Sequence, residues 1–493
     1  MRSNGILMHI SSLPSPHGIG SMGKPAREFA DFLADAGQKY WQILPVCPTG
    51  YGDSPYQSFS TNAGNPYFID LDELKNDGLL LAEEYENIDW ESAPDDVNYG
   101  ALYNKRYPVL KLAVERFVKN PAEDYEKFCQ ENAFWLDDYA LFMALKNAFG
   151  GISWHNWEQG IRNREEAAIA KSKADYAEDI LFWKVLQYFF FKQWKQLREY
   201  VNNKGIKFIG DLPIYVSLDG VDAWSQPQLF QLDENRYPVE VAGCPPDGFS
   251  ADGQLWGNPL YDWDYMEKDG YSWWIQRIKY LCGVYDVLRI DHFRGFESYY
   301  AIPYGDTTAK NGYWKQGPSI KLFKAIEEKI GRQPIIAEDL GYLTPEVKQM
   351  LEDSGFPGMK VLEFGFDTRD ENSAEYLPYK YPVNCVAYVG THDNDTAIGW
   401  MDTAYAEDIV LAKEYLCLNE EEGYNWGLMR SLWITAADTT IVQAQDLLGL
   451  GSESRMNTPS SVGKNWRWRA LPGVFTKELA AKLRHKMELY GRI

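Results

Sequence analysis

The sequence has few histidines, few cysteines and no long uninterrupted run of apolar residues. Its 493 residues include 6 histidines and 6 cysteines, and the cysteines form no CxxC pair. This composition argues against a zinc site and against a disulfide scaffold. The most apolar stretch, Ile180–Trp194, is interrupted by Lys184, Gln187, Lys192 and Gln193, so no membrane span is predicted.

Positive charge is also scarce, because 49 Lys and Arg face 71 Asp and Glu, for a formal net charge of −22. A chain this acidic repels phosphate backbones and anionic lipid surfaces, so neither nucleic acid nor a membrane is an expected partner. The run Gly5–Leu13 has the pattern of a first strand rather than of a signal peptide. The cysteines are Cys47, Cys129, Cys244, Cys282, Cys385 and Cys417. Their scatter in apolar contexts indicates reduced thiols, so we expect a cytoplasmic protein. The sequence does not determine its oligomeric state.

Aromatic residues, in contrast, are abundant. They make up 15% of the chain, with 18 Trp and 33 Tyr. Packing between helices uses some of these rings, but the number exceeds what one core needs. Flat apolar ring faces with polar edges suit the C–H faces and hydroxyl rim of a sugar, so many of these rings are expected to face a carbohydrate.

Eight short apolar runs alternate with helical patterns, which predicts a single catalytic (β/α)₈ barrel over residues 1–493. The eight runs are Ile6–Ile10, Tyr40–Val46, Phe208–Tyr215, Asp286–Ile290, Pro334–Ala337, Met359–Phe366, Cys385–Val389 and Thr440–Gln445. Typical barrel helices are predicted at Pro25–Ala36 and from Thr344 to Gly355, where Pro345 and Gly355 mark the two ends.

Two of the spacings between predicted strands are too long for a plain βα unit. Between the second and third strands, residues 70–200 are mostly helical by pattern, and we predict a helical insertion subdomain there. Between the third and fourth strands, residues 217–262 are rich in Gly, Pro, Trp, Asp and Asn, which predicts a long ordered loop. Such loops at the C-terminal face of a barrel usually shape the active site.

Four predicted strands end abruptly in acidic residues. These ends are Gly210-Asp211, Arg289-Ile290-Asp291-His292, Ala337-Glu338-Asp339 and His392-Asp393-Asn394-Asp395. A helix N-cap or a loop carboxylate accounts for any one of them, but not easily for all four. Barrel enzymes place their chemistry at the C-terminal strand ends, so these acids predict an active site.

The alternation of side chains along a strand puts Arg289 and Asp291 on the same side of the sheet. A fixed cation beside a carboxylate favours the ionised form that a nucleophile requires. Glu338 emerges from an apolar run near another carboxylate, which should raise its pKa and suits a general acid.

An acid and a nucleophile that are both carboxylates define glycoside chemistry. Asp393 would then bind sugar hydroxyls in the transition state, with His392 as a hydrogen-bond donor. This chemistry needs no metal and no cofactor, and the sequence shows no distinct calcium cage.

The same residues resemble the signature regions of the α-amylase clan of retaining glycosidases: a strand-three Asp, a strand-four R-x-D, a strand-five Glu and a strand-seven H-D. Within that clan the chain is most similar, over nearly its whole length, to the 4-α-glucanotransferases. The segments that carry the resemblance are Gly52–Tyr67, Gly210–Val216, Ala242–Tyr261, Leu288–Phe296, Ile335–Gly341, Gly390–Thr396 and Ser454–Ser460.

The resemblance implies an enzyme that transfers α-1,4-glucan segments to the 4-hydroxyl of an acceptor glucose or maltooligosaccharide, with retention at the anomeric carbon. It implies Asp291 as nucleophile, Glu338 as acid/base and Asp393 as transition-state stabiliser. The residues that it implies for glucose binding at the cleavage site are Asp211, Arg289 and His392. The residues that it implies for neighbouring subsites are Tyr56, Asp247, Trp256 and Asn457, with Trp256 stacking on the acceptor.

Two other functions stay open at this stage. A glucan hydrolase would use the same carboxylates. In true amylases, however, a histidine typically follows the strand-three Asp, whereas Asp211 is followed by Leu212, and this favours transfer. A glycan-binding module with an inactive barrel would have lost one of the three catalytic acids, whereas all three are present. After the eighth strand only about fifty residues follow, too few for the β-sandwich that is usual in the clan.

Overall fold

The architecture is seen in a computed structural model, which describes residues 2–246, 251–341 and 343–493. The strands are β1 (Ser3–Leu7), β2 (Tyr40–Gln42), β3 (Lys207–Leu212), β4 (Glu240–Cys244), β5 (Gln254–Pro259), β6 (Val287–Ile290), β7 (Ser298–Pro303), β8 (Tyr313–Gln316), β9 (Ile335–Ala337), β10 (Gly358–Val361), β11 (Cys385–Tyr388) and β12 (Thr439–Gln443). Eight of them form one parallel sheet in the order β10-β11-β12-β1-β2-β3-β6-β9.

This parallel sheet curls into a barrel. At the seam between β9 and β10, the N–H of Ala337 donates to the carbonyl of Pro357 at 2.9 Å, and the N–H of Met359 donates to Asp339 Oδ1 at 2.6 Å. The predicted (β/α)₈ barrel is therefore confirmed, and each of the eight predicted runs contains or overlaps one barrel strand. Several of the predicted runs are longer than their strands, because apolar residues beyond the strand end are buried in the connection that follows. In Met359–Phe366, for example, the strand ends at Val361 and a buried 3-10 turn follows at Glu363–Phe366.

Helices surround the barrel and fill the first insertion. They are α1 (Lys24–Asp35), α2 (Leu71–Asn76), α3 (Tyr99–Phe117), α4 (Tyr125–Glu131), α5 (Ala133–Ala148), α6 (Gln159–Arg162), α7 (Glu166–Asp175), α8 (Ala177–Asn203), α9 (Val221–Ser225), α10 (Trp263–Lys268), α11 (Ser272–Val284), α12 (Ile320–Ile330), α13 (Pro345–Ser354), α14 (Ala397–Thr403), α15 (Ala406–Leu416), α16 (Tyr424–Trp433), α17 (Ala444–Leu448) and α18 (Lys477–Leu489). Helix α13 begins and ends as the sequence predicts: the Thr344 side chain accepts from the N–H of Val347, and Gly355 adopts φ 65°.

The insertion between β2 and β3 is helical, as predicted, and α8 joins it to the barrel. The Gln187 side chain bonds both the N–H and the carbonyl of Gly64, and the Gln193 side chain does the same with Asp70. Trp194 donates through Nε1 to the carbonyl of Val284 at 3.0 Å. The two glutamines fix the segment that follows β2, which carries Tyr56, to α8, and Trp194 joins α8 to the end of α11.

The second insertion contains more regular structure than the predicted loop. Within residues 217–262, α9, β4 and β5 form, and β4 pairs antiparallel with both β5 and β7. With β8 they make a separate sheet in the order β5-β4-β7-β8. The strand pattern is hidden in the sequence because β5 includes Gly257, Asn258 and Pro259, which are uncommon in strands. The division of the chain into a helical subdomain at residues 70–200 and an active-site insertion at residues 217–262 stays a prediction.

No disulfide joins any two of the six cysteines, all of which lie among the described residues. In the part of the chain that the structure describes, every helix is either too short or too polar to cross a lipid bilayer.

Candidate active site

The strand register brings the predicted acids together at the C-terminal end of the barrel. Asp211 on β3 lies opposite Arg289 on β6, and Ile290 lies opposite Ala337 on β9. The next residues along β6 and β9 are Asp291 and Glu338, and the N–H of Glu338 donates to the carbonyl of Ile290 at 3.0 Å. Adjacent parallel strands thus present their carboxylates at one mouth of the barrel.

Arg289 joins two of these carboxylates. Its Nη1 donates to Asp211 Oδ1 at 2.8 Å and Oδ2 at 2.7 Å, and to Asp291 Oδ1 at 3.1 Å. Both Arg289 and Asp211 are buried, whereas about a quarter of the Asp291 side chain is exposed. The guanidinium is therefore fixed between the two acids, on the side that strand alternation predicts.

The charge balance around Asp291 differs from the simple expectation. Burial raises the pKa of Asp291 above its ordinary value, and the nearby Arg289 lowers it only in part, while Asp211 and Asp393 raise it further. Arg289 is less effective because it is shared with Asp211. The sequence indicates only the effect of Arg289 on the pKa of Asp291. In the folded protein, burial and the charges of Asp211 and Asp393 act on that pKa as well.

Glu338 is held by two backbone N–H groups. The N–H of His292 donates to Oε2 at 2.6 Å, and the N–H of Leu340 donates to Oε1 at 2.9 Å. Burial raises the pKa of Glu338 and the charge on Asp291 raises it further, against the lowering effects of Arg289 and the two N–H groups. The raised pKa agrees with the expectation from the apolar run that precedes Glu338.

Tyr56 and His392 lie against Asp211. The Tyr56 hydroxyl donates to Asp211 Oδ2 at 2.8 Å and lies 2.9 Å from His392 Nε2, and the two rings stack with centroids 5.4 Å apart. Burial lowers the pKa of His392, which favours the neutral form of its ring. If the tyrosine donates to the carboxylate, the imidazole donates to the tyrosine from Nε2, which leaves Nδ1 as an acceptor.

Asp393 is the most exposed of the three proposed catalytic acids, with 44% of its side chain accessible. Asn457 Nδ2 donates to its Oδ1 at 2.6 Å, and Arg455 Nη2 donates to its main-chain carbonyl at 2.6 Å. Arg455 Nε also donates to the carbonyl of Asn457 at 2.8 Å. Two predicted residues, Asp393 and Asn457, are therefore brought together, and Arg455 links their loops.

Trp256 lies on β5 and is partly exposed. Its ring is edge-on to His292, with centroids 4.9 Å apart, and its Nε1 donates to Gln254 Oε1 at 3.0 Å. Gln57 Nε2 donates to the carbonyl of Trp256 at 3.4 Å. Asp247, predicted for one of the neighbouring subsites, lies outside the described residues.

Three residues that contact this site were missed at the level of sequence: Gln57, His292 and Arg455. Each lies inside a segment that carries the family resemblance, namely Gly52–Tyr67, Leu288–Phe296 or Ser454–Ser460. Their polar side chains within those segments were the available signal.

No group of three or more His, Cys, Asp or Glu within residues 2–246, 251–341 and 343–493 is arranged to hold a metal ion.

The fold and the site together define a class, the (β/α)₈-barrel enzymes that carry at their strand ends the carboxylates used in glycoside chemistry. A model of the 4-alpha-glucanotransferase family matches residues 8–473. The chain is 53% identical over 487 residues to the 4-alpha-glucanotransferase of Clostridium butyricum, covering 98% of this chain and 100% of that protein. It is 46% identical over 498 residues to that of Streptococcus pneumoniae, covering 100% and 98%.

The same relationship is seen among solved structures. The amylomaltase of Streptococcus agalactiae in complex with acarbose matches with a TM-score of 0.97 at 44% identity, covering 100% of both chains. The chain belongs to the 4-alpha-glucanotransferase family. It is an enzyme, and α-glucans are its substrate class.

Proposed function

We propose that this enzyme transfers segments of α-1,4-glucan to the 4-hydroxyl of glucose or a maltooligosaccharide by a retaining double displacement. The observation that supports the proposal most strongly is the pairing of Asp291, in contact with Arg289, with Glu338, held by two N–H groups at the end of the next strand. Two carboxylates of unequal protonation are what a retaining mechanism requires.

Arg289 decides which of the two carboxyls keeps the proton. Two neighbouring carboxylates resist being ionised together, so one proton stays on the pair near neutral pH. Arg289 donates directly to Asp291, which favours charge on Asp291 and leaves the proton on Glu338. The pair of carboxyls is then already in the protonation state that the first step needs.

In the first step Glu338 protonates the glycosidic oxygen while Asp291 Oδ attacks the anomeric carbon, which gives a glycosyl ester on Asp291 and a shortened glucan. In the second step Glu338, now ionised, takes the proton from the 4-hydroxyl of the acceptor, whose oxygen displaces Asp291. Glu338 recovers its proton and the anomeric configuration is retained.

The remaining polar residues bind the glucose at the cleavage site. Asp211, Arg289 and His392 are proposed to bind this glucose, and the Tyr56 hydroxyl joins two of them, since it donates to Asp211 and lies 2.9 Å from His392 Nε2. Asn457 fixes one oxygen of Asp393, and the other oxygen is proposed to accept from sugar hydroxyls as the transition state forms. Trp256 is proposed to stack on the acceptor glucose, and Asp247 to bind a neighbouring sugar.

Transfer competes with hydrolysis in the second step, since water could also attack the glycosyl ester. A held and oriented acceptor reaches effective molarities of about 10⁵–10⁸ M, which exceeds the concentration of water. We propose that Trp256 and the chain around β5 supply this orientation. The absence of disulfides among the six cysteines and the net charge of −22 further support a cytoplasmic enzyme without nucleic-acid partners.

Maltotriose as sole substrate should give glucose and a ladder of longer oligosaccharides, while the concentration of reducing ends stays nearly constant. Each transfer breaks one glycosidic bond and makes another, so no reducing end is gained. Chromatography of the products, together with a reducing-sugar assay on the same samples, checks both parts. Reducing ends that rise in step with maltotriose consumption would identify a hydrolase instead.

The pH profile of kcat/KM on maltotriose should be bell-shaped. Glu338 must be protonated, and because its pKa is raised, activity persists through neutral pH and is lost as the pH rises past that pKa. Asp291 must be ionised, and its raised pKa moves the acid limb upward. With α-maltotriosyl fluoride, whose fluoride leaves without a proton, the alkaline limb should disappear from the glycosylation step. An alkaline limb identical for both donors would remove Glu338 from the acid role.

A further inference from the structure

His292 lies between two parts of the site, yet the double displacement above gives its side chain no task. It follows Asp291 directly and adopts a left-handed backbone conformation, with φ 50° and ψ 48°. Its N–H donates to Glu338 Oε2 at 2.6 Å, and its ring is edge-on to Trp256 at 4.9 Å with an interplanar angle of 87°. One residue therefore contacts both the acid/base and the proposed acceptor platform.

The left-handed conformation is uncommon for histidine and persists only where the surroundings impose it. Here it turns the chain sharply after β6, so that the N–H meets Glu338 while the ring meets Trp256. Gly295 completes the arrangement, since a Cβ at that position would lie 2.9 Å from His292 Cδ2 and 2.9 Å from Ile214 Cδ1. The ring thus packs closely against the backbone of its own turn.

The chemistry of the ring indicates a packing role. Burial lowers the pKa of His292 to about 3, so the imidazole is neutral wherever the enzyme works. Its Nε2 is buried and has no hydrogen-bond partner among the described residues. A neutral ring without such a partner acts on its neighbour through its shape, and edge-on contact is a favoured geometry for aromatic pairs.

Trp256 also contacts Gln254, Gln57 and Tyr215. Gln254 bonds its Nε1, and Gln57 bonds only its main-chain carbonyl. Tyr215 lies further away, with ring centroids 6.2 Å apart and a tilt of 49°. The ring of His292 is the nearest aromatic partner recorded for Trp256 in the described chain.

We propose that the His292 side chain is a positioning residue that holds Trp256 in the orientation that receives the acceptor sugar, and so sets the ratio of transfer to hydrolysis. Its backbone N–H separately positions Glu338. The inference rests on the proposed function, because it presupposes transfer to an acceptor bound at Trp256. It predicts that changes to the side chain affect the second step and spare the first.

His292→Asn is the main test variant, because asparagine tolerates the left-handed conformation, keeps the N–H and removes the ring. The kcat/KM for fluoride release from α-maltotriosyl fluoride, which reports the first step, should stay within about threefold of wild type. With glucose as acceptor, the ratio of transfer to hydrolysis should fall about fivefold, the size of one aromatic pair. His292→Phe retains an aromatic edge and should keep the ratio within about twofold.

A double variant separates action through Trp256 from an independent effect. If His292 acts through Trp256, then His292→Asn combined with Trp256→Ala should give the same product ratio as Trp256→Ala alone. His155→Asn is the matched control, since His155 is a buried histidine stacked on Trp154 at 3.7 Å, outside the residues of the site. It should leave the product ratio unchanged.

The outcomes distinguish the inference from the function on which it rests. A wild-type ratio in His292→Asn, or effects of the two substitutions that multiply, would overturn the inference. A wild-type enzyme that never transfers to glucose would overturn the proposed function instead. Should His292→Asn not purify as a folded protein, His292→Gly, which adopts positive φ freely and keeps the N–H, repeats the measurement with the same expected result.

Discussion

Replacing Asp291 with asparagine should abolish transfer, with a loss of about 10⁴-fold or more in kcat on maltotriose. The amide is nearly the same size as the carboxylate but cannot form the glycosyl ester, so the first step has no nucleophile. Initial rates of glucose release from maltotriose, together with a thermal unfolding curve that verifies the fold, measure this effect.

The control lies at the opposite end of the same strand. Asp286 immediately precedes β6 and accepts from Arg198 Nη2 at 2.7 Å and from the N–H of Phe208 at 2.8 Å. Asp286→Asn should lower stability while keeping activity within about tenfold of wild type. Transfer by Asp291→Asn within about tenfold of wild type would contradict the assignment of the nucleophile.

Replacing Glu338 with glutamine should lower kcat on maltotriose by about 10³-fold, within the range for loss of a general acid. Consumption of α-maltotriosyl fluoride should be affected far less in the first step, because that leaving group needs no proton. The glycosyl ester should then accumulate, and added azide should release it as a glycosyl azide of retained configuration, since azide needs no general base. Mass spectrometry of the intact protein and of the products follows both events.

Glu363 supplies the matched control for Glu338. It is also a buried glutamate beyond the end of a barrel strand, and burial raises its pKa well above the ordinary value. Because burial favours the neutral form of the Glu363 carboxyl, an amide mimics it closely, so Glu363→Gln should keep activity within about tenfold of wild type. Normal processing of maltotriose by Glu338→Gln would assign the acid/base role to another residue.

Much of this site could be predicted from sequence because its signals are local. Apolar runs that end in acids mark the strand ends, and alternation along β6 is enough to place Arg289 beside Asp291. The pKa of Asp291 was not accessible in this way, because burial and the competition of Asp211 for Arg289 depend on the folded barrel. Alternation along β6 identifies Arg289 as a neighbour of Asp291, but it does not show that Asp211 on β3 competes for the same guanidinium.

Contacts across long separations in sequence were equally hidden. Tyr56 meets His392 although 336 positions separate them, and β5 finds its place through β4, which itself pairs with β7 beyond the nucleophile. His292 lies within a segment that was noticed, but its contact with Trp256 depends on a left-handed turn that the residue type does not announce. Such features are set by tertiary packing rather than by local pattern.

The central claim is that a sugar, rather than water, takes the glycosyl group from Asp291. The most direct test supplies maltotriose as donor and ¹³C-labelled glucose as acceptor, and locates the label by NMR while reducing ends are counted. We expect the label to appear as the reducing-end unit of new maltooligosaccharides, joined through α-1,4 bonds, with the number of reducing ends nearly constant. Label that stays in free glucose while reducing ends increase would contradict the account.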